Sequence, residues 1–388
     1  MRKLFLLFFT LANIAHAAPY IPKDGNAVIE QLPRRADATQ NELRSLRARL
    51  NQKPQDLALA TSLAQRYIGL SRSETDPRYL GYAQAALAPW WRQAAPPVPV
   101  RQLRATILQS THHLGDALQD LDAVIAQQPA NAQAWLTRAT VLTVQGDYEK
   151  ATASCARLSA LTTQLVTVTC IANVAGVTGR AAKSEQLLNL TLERSAGTAP
   201  ELEHWALSLL AEMAARRGES KLAETRFRQA LAQQPRDSYL LGAYSDFLLD
   251  QRRAPEVITL LKDQQRIDAL LLRQALAMQA VPGQETALKA ASAELAARFN
   301  AAMQRGDTVH QREQARFALF LQRDIPGALL LAQKNWAIQK EAADMRILLE
   351  AAVAARDRAA AQPVLAWIKT NNVEDVALQA LVTKAGAL

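Results

Sequence analysis

Residues 132–157, AQAWLTRATVLTVQGDYEKATASCAR, decide the fold. Trp135, Ala139 and Leu142 are followed, beyond Gly146, by Tyr148, Ala151 and Cys155. Spacings of three and four put each set on one face of a helix. Gly146 suits the left-handed residue that releases a first helix into a turn. The stretch therefore predicts two antiparallel helices, with Ala139 and Ala151 allowing close approach and Trp135, Leu142 and Tyr148 filling the space beside them. The pattern recurs at a 34-residue step: Ala105, Leu108, Ala117 and Leu121 precede Ala139, Leu142, Ala151 and Cys155. Further on, Leu210, Ala211, Ala214, Ala223 and Phe227 return as Tyr244, Ser245, Leu248, Val257 and Leu261. A lone helix pair cannot bury its face, and a fixed period means that neighbours bury it by stacking. The predicted class is all-α, a solenoid of antiparallel helix pairs. Composition agrees, since Ala, Leu, Gln, Arg and Glu, which favour helices, dominate and only 5% of residues are aromatic.

The set Trp135, Arg138, Ala139, Leu142, Gly146, Tyr148 and Ala151 resembles the W-x2-L-G-x2-Y…A-x3-F…P pattern of the tetratricopeptide repeat (TPR) family. Arg138 departs from the usual Leu, and Cys155 stands where a large aromatic is commoner. The resemblance implies a right-handed α-α superhelix. It is closest over 102–129, 132–163, 207–235 and 238–264, with 166–195 a degenerate copy. Register lapses over 267–306, where Pro282-Gly283 marks the expected turn, and returns where Leu319, Ala328 and Ala332 map 33 residues on to Ala352, Ala361 and Leu365. The expected organisation is a signal peptide over 1–17, an extended lead-in over 18–38, N-terminal helices with a degenerate repeat over 39–99, TPR-like repeats over 100–265 and degenerate repeats over 266–388.

Met1-Arg2-Lys3, the apolar run 4–11 and Ala15-His16-Ala17 have the layout of a cleavable signal peptide, with cleavage after Ala17. The run is shorter than the ~20 residues of a membrane-spanning helix. A periplasmic protein with no integral membrane segment after signal cleavage is expected. The 388 residues carry 45 Lys and Arg against 36 Asp and Glu, and loss of Arg2 and Lys3 takes the net charge from +9 to +7. The Arg residues are scattered over polar helix faces, and no aromatic-plus-basic module points to nucleic acid.

No Gly-rich phosphate loop, nucleophile elbow, HExxH or CxxC motif is present in the sequence. The adjacent His112 and His113 point to different helix faces, a poor two-ligand arrangement, and read as exposed polar residues near a turn. Carboxylates such as Asp116, Asp120, Asp122, Glu201 and Glu203 read as solvated helix faces. The sequence thus predicts no catalytic residue, no metal site and no cofactor. Cys155 falls on the second helix of one unit and Cys170 on the first helix of the next, each seven or eight residues from the middle of the turn over 161–164. At ~1.5 Å rise per residue they reach matching heights, and export supplies an oxidising compartment. A Cys155–Cys170 disulfide is expected; the alternative is two small buried thiols.

Carried over from the TPR family, the first helices of successive pairs line a concave groove. That side presents Gln102, Thr106 and Gln109, then Gln133, Thr140 and Thr143, then Asn173. Trp205, Glu212 and Arg216 follow, and then Tyr239, Asp246 and Asp250. Trp205 and Tyr239 read either as anchors for a partner or as rings packed on the preceding helix. The groove lacks the Lys-and-Asn cluster with which some members clamp a C-terminal carboxylate. The function expected is a non-catalytic interaction scaffold of the cell envelope that holds a protein or peptide. A polysaccharide-binding accessory protein of an envelope export or assembly system, contacting an anionic polysaccharide, is the alternative.

Overall fold

The computed structural model describes residues 38–195, 197–306 and 309–388. The signal-peptide assignment and nearly all of the lead-in lie outside the described residues. Two compact units are distinguished, one ending at Arg49 and one spanning Leu50–Leu388. Helix α1 (Ala38–Gln52) provides the described part of the first.

The second unit opens with α2 (Leu57–Glu74), α3 (Arg78–Ala86) and the short α4 (Ala88–Trp91). Asp56 caps α2 by accepting from the Leu59 amide. This helix ends at Thr75 in the left-handed region. Helix pairs then follow in order: α5 (Val98–Ser110) with α6 (Leu114–Gln127), α7 (Ala132–Gln145) with α8 (Tyr148–Arg157), and α9 (Gln164–Ala175) with α10 (Ala181–Arg194). A 3₁₀ turn, Leu158–Ala160, separates α8 from α9. Next come α11 (Pro200–Arg216) with α12 (Ser220–Gln233), α13 (Ser238–Asp250) with α14 (Ala254–Leu260), and α15 (Asp268–Gln279) with α16 (Glu285–Gln304). The chain ends with α17 (Gln311–Phe317), a π-helical turn (Ala318–Gln322), α18 (Ile325–Ile338), α19 (Ala342–Ala355), α20 (Arg358–Asn371) and α21 (Val376–Gly386).

Each first helix packs on its own second helix and on the first helix of the next pair, from α5 through α19 to α21. No strand occurs among the described residues. The unit is an all-α solenoid whose core is continuous from pair to pair. Within α7/α8, Ala139 and Ala151 are fully or almost fully buried where the helices approach, and Gly146 adopts φ 81°. Arg138, the departure from the family pattern, donates to Asp122 and to the buried Ser154 hydroxyl. It therefore bridges two second helices where a Leu would pack. Cys155 and Cys170 form the expected disulfide between α8 and α9, with Cα atoms 5.6 Å apart.

The C-terminal pairs close back on the turns of the middle pairs, a contact that periodicity did not reveal. The Lys340 amide donates to the Val144 carbonyl at 2.7 Å. Trp367 lies over Gly146, Asn372 over Gly179 and Val376 over Gly218. The Ala181 amide donates to Glu374 at 3.2 Å, and Gln339 donates to His112 Nδ1 at 3.1 Å. His112 is thus held in this seam, correcting its assignment as an exposed polar residue; His113 is exposed. Three successive glycine turns present bare backbone, which is why the seam can sit so close.

Candidate functional site

The second unit holds a wide, partly open cavity of about 2010 Å³. It is larger than the ~300–1,000 Å³ pockets typical of small ligands. Its wall is built by the cavity-facing sides of α11, α13, α15, α17 and α19, together with the end of α2 and the seam. Ten Lys and Arg face ten Asp and Glu around it.

Of the groove residues expected from the sequence, Thr140, Thr143, Asn173, Trp205, Glu212, Arg216, Tyr239, Asp246 and Asp250 line the cavity. Gln102, Thr106, Gln109 and Gln133 do not, because α5 and α7 turn only their C-terminal ends towards it. Gln102 instead accepts from Asn131 at 3.1 Å, and Gln133 donates to Thr137 at 3.1 Å. Trp205 is partly buried against the cluster around the disulfide. Tyr239 behaves differently. It is 64% exposed and is among the residues that line the cavity.

The missing part of the wall comes from the degenerate C-terminal pairs. Arg273 and Arg316 converge on Asp246 at 2.6 and 3.0 Å. Burial pushes the Asp246 carboxyl up, but the two guanidiniums outweigh it and hold it well below the usual range. Arg346 makes two 2.8 Å hydrogen bonds to Asp250 and one to Glu350. Arg312 reaches Glu341 at 2.9 Å, with Glu313 and Asp344 both at 3.4 Å. His204 Nε2 meets Asp237 at 2.9 Å. The 34-residue step could have located two of these groups: it carries Tyr239 onto Arg273 and Arg312 onto Arg346. It also carries Glu212 onto Asp246 and Arg216 onto Asp250, so the groove positions persist where the core pattern fades.

Three carboxyls at or beside the cavity are pushed up. Burial raises Glu212 and Asp375, with Arg216 only partly offsetting each. Burial raises Asp344 to about 6 against the pull of Arg312. Among the described residues no cluster of three or more His, Cys, Asp or Glu could hold a metal ion, and no helix is long and apolar enough to cross a membrane. The polar groups are engaged in ion pairs between helices, an arrangement suited to shape and charge recognition.

No family model and no curated protein matches the chain. Among solved structures it is similar to a tetratricopeptide repeat protein from Parabacteroides merdae, at 16% identity over 74% of this chain and 98% of that one, with a TM-score of 0.35. A human IFIT1 dimer with m7Gppp-AAAA matches at 13% identity over 90% and 86%, TM-score 0.41. The P58(IPK) TPR domain matches at 14% identity over 86% and 98%, TM-score 0.25. These are likenesses of helical-repeat architecture at low identity, and the assignment of a solenoid rests on the helix pairing described above.

Proposed function

We propose that the protein is a non-catalytic scaffold of the bacterial cell envelope that holds a protein segment or peptide inside the solenoid. The observation that carries this reading is the cavity: large, lined by first helices, and studded with polar groups of both signs around an exposed tyrosine. Main-chain amides and mixed side chains of a peptide find partners on such a wall. The equal numbers of acids and bases give no general preference for a polyanion, so an anionic polysaccharide is the weaker partner. Export to the periplasm accords with the Cys155–Cys170 bridge.

The test places a photocrosslinking amino acid at Thr143 or Asn173 on the cavity wall, and at Leu187 on the outer face of α10, where 49% of the residue is exposed. Irradiation in the native periplasm should give discrete peptide adducts at the two wall positions and none at Leu187. Adducts confined to Leu187, or none at the wall, would overturn the reading.

A further inference from the structure

The turn after α5 is built like the glycine turns of the seam but carries a side chain. His112 stands 34 residues before Gly146 and adopts φ 59°. The His113 amide closes this turn on the Leu108 carbonyl at 2.9 Å, as the Asp147 amide closes the next on Leu142 at 2.8 Å. Glycine takes such a left-handed position without steric cost, whereas histidine does not. What histidine adds is an imidazole that reaches across the seam to α18. That imidazole ends a hydrogen-bonded chain that starts at a buried carboxyl. Asp344 Oδ2 accepts from the Glu341 amide at 2.9 Å, and Oδ1 accepts from Asn335 Nδ2 at 2.7 Å. Asn335 Oδ1 is thereby turned to Gln339, whose Nε2 donates to it at 3.1 Å. The same amide nitrogen donates to His112 Nδ1 at 3.1 Å. Asp344, Asn335 and Gln339 are at most 5% exposed, so the order of donors and acceptors is set inside the protein. Arg312 Nη1 also faces Asp344 Oδ1, at 3.4 Å, which opposes turning that oxygen into a donor. An amide nitrogen only donates, so Nδ1 must accept, and the closed seam holds His112 neutral with its proton on Nε2.

We propose that His112 is a pH-sensitive latch of the seam. Neutral, it accepts from Gln339 and holds the α5–α6 turn against α18; protonated, it turns an Nδ1–H against the Gln339 amide hydrogens and lets go. The charged and titratable groups that act on it are Arg312, Glu313 and His310 from α17 and its cap, and Glu341 before α19. Burial, Arg312 and His310 hold the imidazole below its ordinary range, and the two carboxylates only partly offset them. A base depressed in this way keeps its full contribution to the closed seam above the ordinary value of about 6.5 and loses it as pH falls towards the depressed one. The latch stands beside the cavity, which His112 and Lys340 also line, and does not depend on what the cavity holds.

The experiment follows the Lys340 amide, which donates to Val144 across the seam. Hydrogen exchange of the mature protein is resolved over 336–345, and each rate is divided by the intrinsic rate at that pH. Between pH 7.5 and 5.5 wild-type protection should fall by about three- to tenfold, the upper bound being full protonation of an ordinary histidine in the open seam. His112→Asn keeps an acceptor near the Nδ1 position and tolerates left-handed backbone, but does not titrate. Its protection should match the wild type at pH 7.5 and change by less than about twofold at pH 5.5. His113→Asn, at the exposed neighbour, should keep the wild-type loss. Asp344 and the other carboxyls titrate in all three proteins, so the difference belongs to His112. A wild-type loss below about threefold, or an equal loss in His112→Asn, would overturn the latch. NMR of the wild-type imidazole checks it without any variant: a bare Nδ1 and titration below about 6.5 support it, whereas an Nδ1–H at neutral pH or titration above that value overturns it.

Discussion

Replacing Gly146 by alanine tests whether the seam is closed in solution. Gly146 and Gly283 both adopt φ 81°, so alanine costs about 1–2 kcal/mol of left-handed backbone strain at either position. Their surroundings differ. A Cβ at Gly283 meets nothing within 4 Å, whereas one at Gly146 would stand 2.3 Å from Trp367 Cζ2 and 3.1 Å from Lys340 Cβ. The indole has little room to retreat, since it packs edge-on against Trp336 at 5.9 Å and tilted against Tyr148 at 6.1 Å. Relieving that overlap should cost a further ~1–3 kcal/mol. A solenoid can open in parts, so one melting temperature is a poor readout. Hydrogen exchange resolved over 336–376 reads the local opening directly. Gly146→Ala should speed exchange there by roughly 5- to 100-fold, while Gly283→Ala should leave that segment at wild-type rates. Wild-type protection over 336–376 in both variants would refute the closed seam.

Removing the bridge with Cys155→Ala and Cys170→Ala together should destabilise the α8–α9 region by ~3 kcal/mol for a loop of 15 residues; labelling of both thiols without reductant would show that no bridge forms. Glu185 is buried between Arg217 and Arg226, each at 2.6 Å. Glu185→Ala leaves the buried Arg226 with the Leu210 carbonyl and no counter-charge and should cost about 3 kcal/mol in urea unfolding, and a loss below about 1 kcal/mol would refute that role. Burial holds the folded Asp344 carboxyl at about 6, above the ~3.9 of an unfolded aspartate, so its contribution to stability is full below the unfolded value and lost as pH rises through the folded one. The difference in urea midpoint between wild type and Asp344→Asn should therefore move in favour of wild type from about pH 7.5 to about pH 4.5, and parallel profiles would contradict the shift.

The helix pairs and the bridge were legible because their causes are local. Ala139, Leu142, Gly146 and Ala151 set a helix face, a turn and a close approach within a few residues of one another. The heights of Cys155 and Cys170 follow from helical rise alone. The groove face was legible in its later part for the same reason, and Trp205, Glu212, Tyr239 and Asp246 stand on the cavity wall. It failed at Gln102, Gln109 and Gln133, because which end of a first helix meets the cavity depends on superhelical position, which repeat spacing does not encode. Arg273, Arg312, Arg316 and Arg346 were missed because they lie where the small-and-large core pattern weakens, although the 34-residue step still relates some of them to the earlier groove positions.

What the sequence by itself determined is the repeating unit where register holds: the helix pair, the turn between its helices and the small residues at which they approach. Only the tertiary structure decided that the solenoid closes on itself, bringing Lys340 to Val144, Trp367 to Gly146 and Glu374 to Ala181. The physical reason is accumulation. Each pair is rotated slightly on the last, and the sum of those rotations, carried by side-chain packing at every interface, sets whether distant turns meet or pass.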